Sequence, residues 1–460
     1  MGLFNKPHYM NTIKIKALAL IILLFHSAII NAQRDKISHE ERNDILDWLS
    51  EYNVPAVGIG LINNGKLVDN RVFGELRKGI PAEDNSVFTI ASVTKAITTI
   101  VVLKLVETGH WDLDEPLCNY WVDPDVADDA ENKSLTTRHV LSHQSGLPNW
   151  RSELDSKKLE FLFHPGAKYN YSGEGFEYLR KAIENKLNRT FEEISYSVLF
   201  KPQNMLSTKF KWSNEQEKTR FAYRHTAEGE EFRNQGCMQA SAASGLLTTM
   251  SDFSAFGIHV MNQADLSESL FNDMTSTQTN IKKDYDQGLG WQIVRNLPND
   301  EYALVHEGGE WGVSTIAILL PESKNGIIVF TNGDRGDEVY SKVVKEYLDN
   351  GSEVLRILSG KSYDPESIKT IDVSPDILST YVGSYFIETF KISIDIILEN
   401  KTLKLVSPYS TMVLFAESET EFFLKDDDFK IEVVHGANNS ITGIMVIYQG
   451  GEPEFAMKSK

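Results

Sequence analysis

Two cysteines in 460 residues rule out a disulfide-stapled scaffold, and neither lies in the close Cys/His spacing of a structural zinc site. Cys118 and Cys237 are far apart in the chain, and spacing alone does not show the Cα approach that a bridge requires. Basic residues are also scarce: 46 Lys and Arg stand against 65 Asp and Glu, a net charge of −19. That balance argues against nucleic acid and anionic membrane surfaces as partners. Beyond residue 30 no apolar run is long enough to cross a bilayer, and no internal repeat or low-complexity stretch is evident.

The one long apolar run, Ala17 to Ile30, follows Lys14 and Lys16 and ends at Asn31-Ala32-Gln33. This is the layout of a secretory signal peptide over residues 1–32, cleaved after Ala32, with Met10 as an alternative start. Neither cysteine is near the cleavage point, so a lipid anchor is not expected. The reading is a soluble exported protein, periplasmic or extracellular, and removing the signal takes away Lys6, Lys14 and Lys16 but no acid.

With 41% hydrophobic and 24% charged residues, the rest is ordinary globular sequence, enough for two or three domains of about 150 residues. An amphipathic helix is expected around Glu40 to Tyr52. Strands follow at Val57–Ile62 and Lys66–Phe73, joined through Asn63-Asn64-Gly65. A mostly helical region runs from about Asp112 to Gln263. Strands return at Tyr302–Val305, Ser314–Leu320 and Gly326–Thr331, before a helix from Asp337 to Leu348. Sheet strands from both ends around a helical insertion give an α+β fold, with a cleft between sheet and helical subdomain. Residues 359–375 read as a linker. From 376 to 460 short alternating strands, such as Ile392, Ile394 and Ile396, predict a small antiparallel barrel-like domain.

Ser92-Val-Thr-Lys95 opens an apolar stretch in which Val93, Ala96, Ile97, Ile100, Val101 and Leu103 recur at helical spacing. Residues i and i+3 share a helix face, so a hydroxyl and an amine sit one turn apart. A Ser hydroxyl needs a neighbour to take its proton, and a buried Lys, whose charged form desolvation disfavours, can do so. The helix N-terminus favours developing negative charge at Ser92. As a bare string the motif is weak: average composition gives about two Ser-x-x-Lys matches by chance, and a Ser cap before a solvated Lys is the ordinary reading. Here it occurs once.

Tyr171, in Tyr169-Asn-Tyr171-Ser-Gly173 ahead of a helical run, can project its phenol into a cleft. Beside a Lys its pKa is expected to fall, making it a base for Ser and an acid for a leaving group. His306-Glu-Gly308-Gly309 lies between two strands, and its glycines permit close substrate approach. An N–H of Gly309 could join that of Ser92 in an oxyanion hole. Zinc chemistry fits poorly: His306-Glu307 lacks a second His, and His139 with His143 lacks the intervening Glu, so core packing better accounts for that pair.

Ser92-Val-Thr-Lys95, Tyr171-Ser-Gly173 and His306-Glu-Gly308, in that order, resemble the three active-site motifs of the serine β-lactamase and penicillin-binding-protein superfamily. The branch resembled contains class C β-lactamases, D-alanyl-D-alanine carboxypeptidases, D-aminopeptidases and esterases. Leu135 to Pro148, Ala243 to Asp252 and Gly288-Leu-Gly-Trp291 add to the likeness, which spans about residues 38–350. It implies a β-lactamase/transpeptidase-like fold: an antiparallel sheet flanked by helices, with a helical subdomain. It further implies Ser92 as acylated nucleophile, Lys95 and Tyr171 sharing proton transfer, His306 where many relatives place Lys, and Ser92 and Gly309 amides holding the oxyanion. No metal or organic cofactor is implied.

Two positions depart from the pattern. Gly173 stands where many relatives have Asn, and Glu307 where a Thr often binds a substrate carboxylate. A carboxylate at 307 would repel such an anion unless it points away to pair with Lys or Arg. The expected function is therefore an exported serine hydrolase acting through an acyl-enzyme on an ester or small peptide-like amide, neutral or amine-bearing. The alternatives are an idle binder of cell-wall fragments, or a true β-lactamase or D-Ala-D-Ala carboxypeptidase.

Overall fold

The computed structural model describes residues 36–211, 217–233, 241–360, 368–388, 391–407, 411–425, 429–436, 438, 440–448 and 453–459. The expected signal peptide, Cys237 and residues 361–367 of the expected linker lie outside them. Cys118 is unpaired among the described residues. Two compact units are present: residues up to Ile281 with Asp286–Ile293 and Glu301–Leu348, and Lys282–Tyr285 with Val294–Asp300 and Asp349–Lys460.

The first unit begins with helix α1 (His39–Tyr52), whose start is fixed by a reciprocal cap between Ser38 and Glu41 and whose end is a left-handed Asn53. Strands β1 (Ala56–Asn63) and β2 (Lys66–Arg77) form the expected hairpin, and both Asn64 and Gly65 have positive φ, as a two-residue turn of this hand needs. After β3 (Ile80–Pro81) and β4 (Val87–Thr89) comes helix α2 (Thr94–Glu107). The helical region includes α3 (Thr137–Leu141) and α4 (Gly173–Leu187), followed by β5 (Leu247–Thr249) and α5 (Met250–Met261). Strands β6 (Thr279–Lys282), β7 (Tyr285–Gln287), β8 (Gln292–Leu297), β9 (Glu301–Glu310), β10 (Val313–Leu320) and β11 (Asn325–Thr331) precede α6 (Gly336–Tyr347).

Six strands lie in the order β3-β2-β1-β11-β10-β9, and each neighbouring pair is antiparallel. Strands from both ends of the sequence thus meet in one sheet, as expected. β1, inside the sheet, is buried along nearly its whole length and reads as a continuous apolar run. Helix α5 packs on β1 and β2, and α6 on β10 and β11. β4 and β5 form a small separate ladder that the sequence pattern does not reveal.

Helix α2 is buried around nearly its whole circumference, from Thr94 to Val102 and at Leu103 and Leu105. A helix apolar on all sides belongs in an interior, where its few polar side chains must find partners. Thr94 accepts the N–H of Leu246, Thr98 donates to the Ala242 carbonyl, and Thr99 to its own helix at Lys95. The Gly288–Trp291 segment is moulded on this helix. Gly290 has φ +68°, donates to the Leu141 carbonyl at 2.7 Å, and lies so close that a Cβ would fall 1.7 Å from Thr99 Oγ1.

In the second unit a helix, Pro375–Tyr381, stands where the sequence reading began the sheet domain; Ser374 caps it and Pro375 opens its first turn. Strands β12 (Gly383–Ile387), β13 (Ile392–Glu399), β14 (Thr402–Val406), β15 (Thr411–Val413), β16 (Phe415–Ala416), β17 (Glu421–Phe423), β18 (Phe429–His435), β19 (Ile441–Tyr448) and β20 (Glu454–Lys458) follow. Their order is β15-β14-β13-β12-β20-β19-β18-β17-β16. The two edge strands, β15 and β16, are separated in the chain by Leu414 alone, so the sheet curls back on itself into a nearly closed barrel. Tyr385, Ile394, Ile396, Leu403, Leu405, Ile431, Val433 and Ile444 fill its inside, which explains the alternation. No described helix is long and apolar enough to cross a membrane.

Gly290→Ala is expected to destabilise by about 3 kcal/mol or more, since the new methyl meets Thr99 and the backbone is left-handed. A urea melt checks it; an unchanged midpoint would contradict this packing.

Candidate active site

The chain enters α2 through a left-handed Ala91 (φ +44°) and a single tight turn, Ala91–Val93, that carries Ser92. A non-glycine residue in this conformation is uncommon and aims the following side chain off the helix axis. One turn on, Lys95 is fully buried; its Nζ donates to Ser92 Oγ at 3.1 Å and to the Ala243 carbonyl at 2.8 Å. The amine also lies 4.8 Å from the centre of the Tyr171 ring and 5.6 Å from that of Phe176. Burial lowers the Lys95 pKa to about 7, against an opposing pull from Glu177, so both protonation states are accessible near neutrality.

Tyr171 is brought to the same place by the loop before α4: its ring lies over Lys95 Nζ, and it lines the same cavity as Ser92. The expected fall in its pKa does not occur. Burial raises it, and the nearby Ser92 hydroxyl offsets this only in part, while Tyr169 and Glu307 add to the rise. Tyr171 is thus a neutral phenol in the working range, able to donate and accept but not acting as a standing phenolate.

Two buried imidazoles flank these groups. His306 on β9 has its Nδ1 2.8 Å from the Glu307 carbonyl. A carbonyl only accepts, so Nδ1 carries the hydrogen and Nε2 is an acceptor. Burial, with Lys95 nearby, holds the His306 pKa at about 3, so no cation replaces the Lys of the resembled motif. His143 stacks on Tyr171 with ring centres 4.2 Å apart, and its Nδ1 accepts the N–H of Ser172 at 3.1 Å, which fixes the opposite tautomer. Burial keeps it neutral as well. The sequence reading assigned His143 to core packing; it is buried, but its ring is the backing of Tyr171.

Ser92, Tyr171, His306, Glu307 and Gly309 line one cavity of about 630 Å³, together with Asn149, Trp150, Ser244, Gln292, Glu310 and Trp311. Gly308 lies behind it: a Cβ there would be 2.4 Å from Thr315 Oγ1 and 3.1 Å from the Ser92 nitrogen, so β9 runs tightly along the Ser92 backbone. Glu307 remains on the wall, and its Oε1 accepts from the Tyr340 hydroxyl at 2.9 Å. Gly173 opens α4, and the Trp150 ring occupies the space a side chain would take, 2.6 Å from a built Cβ. The Asn149 carboxamide oxygen accepts the Gly173 N–H at 3.1 Å. Asn149, Trp150 and Trp311 were not singled out in the sequence. Trp311, an aromatic in the β9–β10 turn that is 75% exposed, carried the one signal that could have been read.

Holding Lys95 in the interior costs stability in a pH-dependent way. Its folded pKa, about 7, lies below the ordinary 10.5, so between these values the unfolded chain binds more protons and stability rises with pH. Below about pH 7 the full cost, on the order of 4 kcal/mol, is present. Lys95→Met is expected to be more stable than the natural protein at pH 6, with the gap narrowing by pH 10. Urea midpoints at both pH values test this; a gap that does not change with pH would contradict it.

Comparison with known proteins places the fold and the family. The octameric penicillin-binding protein homologue from Pyrococcus abyssi superposes with a TM-score of 0.60 at 18% identity, over 91% of this chain and 98% of its own, a likeness of fold. Penicillin-binding protein 4* of Bacillus subtilis is 24% identical over 437 residues, 86% of this chain and 93% of the relative. Protein flp of Staphylococcus aureus is 22% identical over 312 residues, and the chain spans only 61% of its length. The model of the Beta-lactamase family matches residues 32–345, well over half of the sequence, and the chain belongs to that family.

Proposed function

We propose that this protein is an exported serine hydrolase that cleaves esters or small peptide-like amides through an acyl-enzyme on Ser92. The observation that carries this is the buried amine of Lys95, 3.1 Å from Ser92 Oγ at the wall of an open cavity. Neutral Lys95 takes the Ser92 proton as Oγ bonds to the substrate carbonyl carbon. The oxyanion is held by the N–H groups of Ser92 and Gly309. As the intermediate collapses, the bond to the leaving amine or alcohol breaks. The proton on Lys95 passes to that group by way of the Tyr171 hydroxyl, and water then hydrolyses the ester. Export rests on the Lys14 to Gln33 pattern.

The charges at the cavity bear on the substrate. Its wall carries Glu307 and Glu310 and no Arg or Lys, with Arg224 approaching Glu310 to 4.0 Å from outside the lining, and His306 is neutral. Penicillin, to which the names of the relatives refer, bears a carboxylate, as does a peptide C-terminus. The wall favours a neutral or amine-bearing substrate instead, and the two indoles, Trp150 and Trp311, offer faces to an apolar or cationic group.

Labelling with a fluorophosphonate is expected to be stoichiometric, abolished in Ser92→Ala, and to rise with pH through about 7 as Lys95 loses its proton. Undiminished labelling of Ser92→Ala would overturn the assignment. Among matched p-nitrophenyl esters, the cationic or neutral one is expected to exceed the anionic one by roughly tenfold in kcat/KM. A preference for the anion would contradict the charge argument.

A further inference from the structure

Glu177, on the first turns of α4, has no place in the chemistry above, yet its carboxylate is joined to Lys95 through a short chain of hydrogen bonds. Its Oε1 accepts from Ser241 Oγ at 2.7 Å and from the Ala242 N–H at 2.9 Å. Ser241 Oγ in turn accepts the N–H groups of Ala243 and Ser244, at 3.2 and 3.1 Å, closing a compact turn. The two carbonyls of that turn face α2: Ala242 receives Thr98 Oγ1 and Ala243 receives Lys95 Nζ, each at 2.8 Å. Ser244, the next residue, lines the cavity. Glu177 therefore holds one side of the turn and α2 the other.

We propose that Glu177 is a positioning residue for Lys95: its carboxylate fixes the 241–244 turn whose Ala243 carbonyl holds the amine against Ser92. This rests on the hydrolase reading above. The sequence order alone hides it, since Glu177 and Ser241 lie on separate segments.

The groups around Lys95 make the charge argument specific. Tyr171, ahead of α4, is a neutral phenol; His143, after α3, and His306, on β9, are neutral imidazoles. Glu307, also on β9, is bonded to Tyr340 on α6. Glu177 is the carboxylate that pulls Lys95 up from where burial alone would leave it. Its Oε2 accepts from Arg180 Nε at 2.8 Å, and Arg180 is shared with Glu184 at 2.7 Å, so the anion is partly neutralised but not consumed. Replacing the carboxylate with an amide removes the counter-charge and leaves Arg180 less neutralised; both effects favour the free amine.

The test follows the second-order rate of Ser92 labelling by a fluorophosphonate from pH 5 to 9, in the full chain, Glu177→Gln and Glu177→Ala, with circular dichroism melts of each. Glu177→Gln keeps an acceptor oxygen for the turn, so its acid limb is expected to move to lower pH by about half to one unit. Glu177→Ala loses the anchor too, and its high-pH plateau is expected to fall tenfold or more. Glu177→Gln should retain more of that plateau than Glu177→Ala does. A purely structural role would lower the melting point and leave the limb in place. The proposal is overturned if the Gln variant titrates like the natural protein, or if the Ala variant keeps its plateau. If the natural protein itself is never labelled at Ser92, the hydrolase reading fails first, and this proposal with it.

Discussion

An amine held in a protein interior is the constraint from which the rest of this site follows. Lys95 is on a helix buried on nearly every side, so water cannot solvate its charge, and the fold must supply each partner. It does so with a hydroxyl, a main-chain carbonyl and two aromatic faces. None of these is a full counter-ion in contact. An adjacent carboxylate would hold the ammonium and leave Ser92 without a base, whereas bare burial would leave an amine too weakly basic to take the Ser92 proton. A carboxylate acting at one remove, through the 241–244 turn, lies between these extremes.

The same economy of charge extends around Lys95. His143 and His306 are imidazoles in the innermost layer, yet both are neutral, with hydrogens on opposite ring nitrogens because one faces an N–H and the other a carbonyl. Each ionised group added to this layer would shift every other, since low-dielectric surroundings leave charges poorly screened. The carboxylates of the cavity lie on its wall, at Glu307 and at Glu310, which Arg224 approaches to 4.0 Å.

Much of this was legible in the sequence because the relevant signals are local. The Ser92–Lys95 spacing and the apolar run after it fix a helix face, and Asn64-Gly65 fixes a hairpin. The alternation of Ile392, Ile394 and Ile396 shows which side of a strand is inside. What escaped depends on contacts between distant segments. The direction of the Tyr171 shift was read from Lys95 alone, whereas burial by groups from several elements sets it. His143 looked like a core residue because sequence shows its burial but not the phenol it stacks on. The short, polar β6 and β7 and the three-residue β4 and β5 have too little pattern to announce themselves.

The missing amide at position 173 illustrates how such long-range contacts decide function. Read along the chain, Gly173 is a deletion: a side chain that relatives use is absent. In three dimensions the space is filled, because the Trp150 ring packs where that side chain would begin. The two positions are therefore coupled, and restoring Asn at 173 alone would drive a Cβ into the indole before the amide reached anything. The exchange trades a polar contact for an apolar face at the cavity wall. The electrostatics of Glu307 and the neutrality of His306 act on the same choice of substrate by an independent route, through charge instead of shape. Shape at position 173 and charge at position 307 thus bear on a ligand by separate means, the first through the apolar face of Trp150 and the second through repulsion of an anion.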